Sequence, residues 1–226
     1  MKTKQHLSTL LAATLLSGSV AVAQTADQYT TAMTGLVQKM DTTQSVAGNL
    51  QTANAFSRVA NAEKDKWLPY YYGALCTVTA AFSEPGIDKI DPLCEQATRL
   101  LDEADRISPN NSEVYCVKSM ILLAGIKVNM MQRGMEYIMK AHSNLEKAIQ
   151  LDPSNPRAYF LMGQQAYNTP EKFGGSKKEA LAYFEKAIEL AEKQKDRANT
   201  IDVNWGRKPA ERQAANCRKL LQLAAK

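Results

Sequence analysis

The sequence has little of what most metal sites and enzyme active sites require. Its 226 residues include only two histidines and four cysteines, and no two cysteines have the C-x-x-C spacing that is typical of zinc and redox sites. The motifs G-x-S-x-G, H-E-x-x-H, G-x-G-x-x-G and the P-loop are all absent. We therefore expect no metal, no cofactor and no enzymatic activity.

A large excess of charge of one sign is also missing. The chain has 28 basic and 23 acidic residues, for a formal net charge of +5. The charges alternate in sign along stretches such as Glu179–Lys195, which is typical of a solvated helix surface. There is no basic stripe with interleaved aromatic residues, so we do not expect nucleic acid as a partner.

The one long apolar segment lies at the N-terminus. Two lysines precede the apolar stretch Leu7–Leu16, and Ala21-Val22-Ala23 has the A-x-A pattern of a cleavage site. A membrane anchor is the alternative, but the segment is short for a span of about 20 apolar residues and contains Ser, Thr and Gly. We predict a signal peptide at residues 1–23, cleaved after Ala23. The domain at residues 24–226, which has no apolar run of spanning length, is then periplasmic or secreted.

The stretch Asn155–Leu190 has the pattern of two amphipathic helices joined by a turn. Asn155 is suited to cap the first helix, and Pro156 fits the first helical position. Gly163 costs about 1 kcal/mol relative to Ala inside a helix, so we expect a neighbouring helix to approach closely there. Ser176 and Glu179 form a capping box that predicts the start of the second helix.

The same pattern occurs at two earlier places in the chain. The second helix of each unit begins its apolar face with an alanine, and Ala97, Ala141 and Ala180 lie 44 and 39 residues apart. Pro109 and Pro153 end the two earlier units in the same phase. One hairpin of this kind cannot bury both of its faces alone, so the copies are expected to stack on one another.

The repeated unit resembles the tetratricopeptide repeat (TPR), a helix–turn–helix unit of about 34 residues. The string from Phe56 through Trp67 to Tyr72, and Trp205-Gly206 near the end, also resembles a family of exported repeat proteins from the Bacteroidetes. These resemblances imply an all-α fold outside the cytoplasm, and they imply no reaction. We expect a right-handed superhelix of antiparallel helix hairpins. It would be a TPR-like solenoid of about four hairpins, ended by a C-terminal capping helix.

In such a superhelix, the first helix of each hairpin lines a concave groove. The residues whose phase directs them into this groove are Trp67, Tyr70, Arg157, Phe160, Gln164 and Tyr167. Aromatic rings beside Arg and Gln suit an extended peptide or an anionic small molecule. The alternative for the aromatic residues is packing against a neighbouring hairpin.

Four further features each allow two interpretations. Cys76 and Cys94 flank a predicted turn, so they are either a candidate disulfide or two buried free thiols. We interpret the methionines between Met130 and Met139 as core packing, with a binding surface as the alternative. His142 is the one histidine after the signal peptide, and the sequence shows no partner that would make it a general base. Phe173-Gly174-Gly175-Ser176 is interpreted as a turn rather than an anion site.

Two functions fit this pattern. The first is an exported, non-enzymatic interaction module or scaffold that holds a protein or peptide segment in its groove. The alternative is a periplasmic small-molecule binding protein that serves an uptake system. An open aromatic groove favours the first function, whereas an enclosed pocket lined by Trp67, Tyr70 and Phe160 favours the second.

Overall fold

The computed structural model describes residues 17–196 and 200–224, with side chains from residue 28 onward. The described chain contains nine α-helices and two short 3-10 helices, and no β-strand. The α-helices are α1 (Ser17–Thr42), α2 (Val46–Ala62), α3 (Trp67–Ser83), α4 (Ile87–Ile107), α5 (Ser112–Gly125), α6 (Met130–Leu151), α7 (Pro156–Asn168), α8 (Lys177–Lys193) and α9 (Arg207–Ala224). The 3-10 helices are Ile126–Val128 and Glu171–Phe173.

Most of the predicted signal peptide lies outside the described residues. Residues 17–23 fall inside them, but only as the backbone of the first turns of α1. Cleavage after Ala23 therefore stays a prediction. No described helix is long and apolar enough to cross a membrane.

Helices that follow one another in the chain pack against each other. The main contacts join α2 to α3, α3 to α4, α5 to α6, α7 to α8 and α8 to α9. Loops of three to eight residues connect α2 to α3, α3 to α4, α5 to α6 and α7 to α8, so the helices of each of these pairs run in opposite directions. Helices α4 and α6 end just before Pro109 and Pro153. The prediction of an all-α fold built from helix hairpins is therefore confirmed.

The helix starts between Asn155 and Leu190 are where the sequence predicted them, but the capping box is half formed, because the Ser176 N–H donates to the Ala166 carbonyl. The side chain of Asn155 accepts a hydrogen bond from the Arg157 N–H at 2.9 Å, and Ser176 Oγ accepts one from the Glu179 N–H at 3.1 Å. A Cβ atom added to Gly163 would lie 2.6 Å from the Phe184 ring. The glycine therefore allows α7 and α8 to approach closely.

The hydrophobic core has two parts. The first lies among α1 to α5, where the rings of Phe56 and Tyr72 stack with centroids 5.2 Å apart. The second lies among α5 to α9, where the rings of Phe160 and Phe184 pack with centroids 6.1 Å apart. A segment that follows α8, residues 200–206, contacts both parts through Val203 and Trp205. We call residues 200–206 the crossing segment.

Two hydrogen bonds attach the crossing segment to α3. The Tyr72 hydroxyl donates to the Ile201 carbonyl at 3.0 Å, and the indole N–H of Trp205 donates to the Tyr71 hydroxyl at 2.8 Å. Val203 is buried in the first part of the core. The chain therefore returns from its C-terminal third to its N-terminal third.

The candidate disulfide between Cys76 and Cys94 is not formed in the structure, because both residues are buried free thiols. The Cys94 sulfur lies 3.7 Å from the Ile121 carbonyl oxygen on α5. Burial raises the pKa of Cys76 to about 12 and that of Cys94 to about 11. Both thiols are therefore protonated and poorly reactive at neutral pH.

Candidate functional site

Two of the six predicted groove residues, Arg157 and Phe160, lie beneath the crossing segment, and Trp67 is linked to it through Tyr71. Phe160 packs edge-on against Trp205, with ring centroids 6.3 Å apart, and Trp67 packs edge-on against Tyr71 at 5.4 Å. Arg157 is only 3% exposed. The chain's own crossing segment therefore covers the centre of the surface that the sequence pattern assigned to a partner.

A buried ion pair lies at the base of this arrangement. The Arg157 guanidinium donates to both carboxylate oxygens of Glu113, with Nε 3.0 Å from Oε1 and 3.2 Å from Oε2. The Tyr71 hydroxyl donates to Glu113 Oε2 at 3.4 Å. Burial opposes the charge on Arg157, but Glu113 raises the pKa of the guanidinium overall. Arg157 is thus committed to an internal pair.

The other three predicted groove residues lie elsewhere. Tyr70 is half-buried against the first part of the core. Gln164 and Tyr167 are half-buried on the C-terminal half of α7, and the Lys177 ammonium lies 3.7 Å from the centroid of the Tyr167 ring. Helical periodicity assigns each residue to a face of its own helix. It could not show that the segment after α8 covers some of the predicted groove residues and leaves others outside.

An open cleft of about 490 Å³ lies between α6, α7, the 3-10 turn and α8. Its volume falls within the range of about 300–1,000 Å³ that is common for ligand pockets. The residues that line it are Met135, Ile138, Met139, His142, Ser143, Glu146, Met162, Gln165, Ala166, Thr169, Phe173, Gly174, Glu179 and Tyr183. Half of these fourteen residues are apolar or glycine, and half are polar or charged.

Methionine side chains give the cleft its apolar wall. The interpretation of the Met-rich stretch as core packing is wrong for Met130, Met131, Met135 and Met139, whose exposed fractions are 71%, 98%, 63% and 63%. Helix α6 buries its opposite face through alanines and Leu145, and no described helix covers the methionine face. Exposed, flexible methionines of this kind are typical of adaptable binding surfaces.

The turn between α7 and α8 supplies an exposed aromatic ring. Gly174 has a φ of +89°, and a Cβ atom on Gly175 would collide with the Thr169 carbonyl oxygen. These two glycines make the turn that the sequence predicted. The turn leaves Phe173 60% exposed at the edge of the cleft.

In the cleft, two hydrogen bonds determine that Nδ1 of His142 carries a hydrogen. The Gln165 amide N–H donates to the Ile138 carbonyl at 2.8 Å, which turns its oxygen toward His142 Nδ1 at 3.1 Å. An amide oxygen can only accept, so Nδ1 carries a hydrogen, and the other ring nitrogen, Nε2, lies 3.7 Å from Glu146 Oε1. Histidines that bind metals commonly have their second ring nitrogen tied in this way.

The remaining polar groups of the cleft are acidic or neutral. Burial, followed by the carboxylates of Glu179 and Glu146, raises the pKa of Tyr183. Tyr183 is therefore a neutral hydrogen-bond donor at neutral pH. No lysine or arginine is among the described residues that line the cleft.

The cleft suits an organic molecule with apolar surface better than a bare ion. The described residues contain no group of three or more His, Cys, Asp or Glu that could hold a metal ion. A metal would therefore need most of its coordination from another molecule, to which His142 could add one nitrogen.

The sequence matches no family model and no curated protein. Among solved structures, the chain is similar to the HusA haemophore from Porphyromonas gingivalis. The two sequences are 31% identical, and the match covers 83% of this chain and 91% of that one. The TM-score is 0.75, so the similarity extends over nearly the whole helical array.

Proposed function

The chain belongs to the same family as the HusA haemophore, and on that premise we propose that it is an exported binding protein for haem or a closely related porphyrin. The observation that carries this proposal is the open cleft with its methionine wall and its exposed phenylalanine. The protein acts as a carrier and has no reaction of its own. This is the small-molecule alternative of the sequence analysis.

The lining of the cleft fits the chemistry of a porphyrin. A porphyrin is a broad, flat and mostly apolar ring, and Met135, Met139 and Phe173 offer exposed apolar surface to its faces. Burial of apolar area contributes roughly 25 cal/mol per Å², so contact with three such side chains supports binding without a charged partner. Methionine side chains also adapt their shape to the ligand.

His142 is the cleft group best suited to the iron of haem. Proteins hold haem iron through His, Met, Cys or Tyr side chains. His142, with its Nδ1 bonded to Gln165, can offer Nε2 to iron in place of its contact with Glu146, whereas the raised pKa of Tyr183 keeps its hydroxyl protonated. Bound haem supplies four nitrogens to the iron itself, which agrees with the need for only one protein ligand.

The scaffold function has less support. Two of the six residues of its predicted groove, Arg157 and Phe160, are buried and lie beneath the crossing segment. The cleft, in contrast, is open to solvent and leaves Met135, Met139 and Phe173 exposed. The support for a small-molecule ligand thus comes from both the family and the surface.

The test compares two double variants of the same helix. Met135→Gln/Met139→Gln removes apolar surface from the cleft, while Met130→Gln/Met131→Gln makes the same chemical change on exposed residues outside it. Both proteins are titrated into haem and into metal-free protoporphyrin, and binding is followed by absorbance. We expect the cleft variant to lose at least about tenfold in affinity for both ligands and the control to stay within about twofold. Absence of binding by the wild-type protein, or equal losses in the two variants, would contradict the proposal.

A further inference from the structure

We propose that the exposed methionines of α6 are a reversible oxidation site, and that hydrogen peroxide weakens ligand binding in the cleft by converting Met135 and Met139 to methionine sulfoxide. The location of the site follows from the exposure of the sulfur groups. Its effect on binding rests on the proposed function, to which it adds a means of control.

The described methionines fall into two groups by exposure. Met33 and Met162 are 0% and 6% exposed, and Met40 and Met120 are half-buried. The methionines that are at least 63% exposed all lie on α6, and they are Met130, Met131, Met135 and Met139. An oxidant in solution therefore meets the sulfur atoms of one helix first.

The cysteines do not compete for the oxidant. All four are buried, and burial raises the pKa of each thiol. Cysteine reacts with peroxide as the thiolate, which is scarce at neutral pH when the pKa is raised. A thioether has no proton to lose, so its reaction depends on exposure rather than on pKa. The exposed methionines are thus the most accessible reactive sulfur groups of the described chain.

The reaction is a two-electron oxidation of sulfur that needs no other residue. A lone pair of the thioether sulfur attacks one oxygen of hydrogen peroxide, an S–O bond forms, and the O–O bond breaks. The departing hydroxide takes the proton from the transferred oxygen and leaves as water. One peroxide is reduced for each methionine sulfoxide formed, and reductases specific for each sulfoxide epimer reverse the change.

Oxidation changes the cleft at two of the four positions. Met135 and Met139 line it, whereas Met130 and Met131 do not. A sulfoxide is polar and accepts hydrogen bonds from water, so covering it with an apolar ligand costs free energy. The side chains that give the cleft its apolar surface therefore also make it sensitive to peroxide.

The first measurement locates the oxidation. Folded wild-type protein is treated with hydrogen peroxide, the peroxide is removed with catalase, and peptide mass spectrometry follows the oxidised fraction of each methionine over time. We expect the four exposed methionines to react at least about tenfold faster than Met33 and Met162, with the cysteines unchanged and the helical circular dichroism retained. Similar rates for exposed and buried methionines, or earlier oxidation of the cysteines, would overturn the inference.

The second measurement tests the effect on the cleft, with metal-free protoporphyrin as the probe. The proteins compared are the wild type, the cleft variant Met135→Leu/Met139→Leu and the control variant Met130→Leu/Met131→Leu. Each is titrated before and after peroxide treatment, and the two affinities are compared within that protein. We expect oxidation to weaken binding at least about fivefold in the wild type and the control variant, and less than about twofold in the cleft variant, because leucine has no sulfur.

Two further readings use the wild type alone. In partly oxidised samples, the loss of affinity should follow the oxidised fraction of Met135 and Met139 rather than that of Met130 and Met131. Treatment with both types of methionine sulfoxide reductase should restore the original affinity. A loss that follows the other two methionines, or that the reductases do not reverse, would contradict the inference.

The outcomes separate this inference from the proposed function. If oxidation weakens binding equally in the wild type and the cleft variant, the oxidation site does not control the cleft, while porphyrin binding stands. If the untreated wild type binds no protoporphyrin, the proposed function is overturned together with the control of binding. The location of the sulfoxides is then still decided by mass spectrometry.

Discussion

At the scale of single residues, the Gln165 side chain determines that the hydrogen of the His142 ring lies on Nδ1. Gln165 accepts from Nδ1 because its own amide is committed to the Ile138 carbonyl. A free histidine on a helix surface would exchange between its two neutral forms. Here, Gln165 favours a hydrogen on Nδ1, and Nε2 faces Glu146 Oε1 at 3.7 Å.

Replacement of His142 by alanine should separate binding of the metal from binding of the ring. We expect His142→Ala to lower the affinity for ferric haem about tenfold, because one iron ligand is lost. The affinity for metal-free protoporphyrin should stay within about twofold. The measurement is a pair of absorbance titrations, together with the position of the Soret band of bound haem. Equal affinity losses for the two ligands would show that His142 only contacts the ring.

The sequence could indicate the residue types of the cleft but not their arrangement. His142 and the methionines were all singled out, but no pattern showed that Gln165 would lie beside His142, 23 positions earlier in the chain. Methionine is equally compatible with a core and with a binding surface. Its role depends on whether another helix covers it, which is a property of the tertiary structure.

At the scale of helices, the contact between α7 and α8 depends on a missing side chain. Gly163 lies against the ring of Phe184. Gly134 is also buried inside a helix, but the nearest atom to an added Cβ there is Met130 Cγ at 3.6 Å, an ordinary contact. Both glycines are thus buried within helices, but an added methyl group would collide with a ring at Gly163 and would fit at Gly134.

Alanine substitutions at these two glycines should have opposite effects on stability. Gly163→Ala should lower the free energy of unfolding by about 1–2 kcal/mol, because the cost of overpacking exceeds the gain in helix propensity. Gly134→Ala should raise it by up to about 1 kcal/mol. Urea denaturation followed by circular dichroism measures both changes. A shift of the same sign in both variants would show that the α7–α8 contact is looser than the structure indicates.

Helix boundaries were the most predictable part of the fold. Asn155 with Pro156, and Ser176 with Glu179, act within a few residues of one another, so the sequence contains the whole signal. The loops after α4 and α6 were predictable for the same reason. Local signals of this kind extend over one helix end and do not report which helices become neighbours.

At the scale of the whole molecule, the pair Glu113–Arg157 joins α5 to α7 beneath the crossing segment. Tyr71 connects the pair to Trp205. The groove prediction did not include the crossing segment, because residues 200–206 have no helical periodicity from which their position could be predicted. Their partners lie as far as 134 positions away in the chain, which is beyond the reach of any local pattern.

Breaking this pair on one side should be more harmful than removing both charges. We expect Glu113→Gln to lower the free energy of unfolding by about 3 kcal/mol, because it leaves Arg157 charged, buried and unpaired. Glu113→Gln/Arg157→Met should restore at least half of that loss, since the new amide oxygen still accepts from the Tyr71 hydroxyl and no buried charge remains. Chemical denaturation of both variants gives the comparison. A double variant less stable than the single one would show that the ion pair itself contributes the stability.

The shared contact with Tyr71 has an optical consequence. The chain has two tryptophans, and both Trp67 and Trp205 touch the same tyrosine, one from the N-terminal third and one from the C-terminal third. Neither lines the cleft. The combined tryptophan fluorescence therefore reports whether the crossing segment is packed against α3. Detachment of the crossing segment should change the emission before the remaining helices unfold.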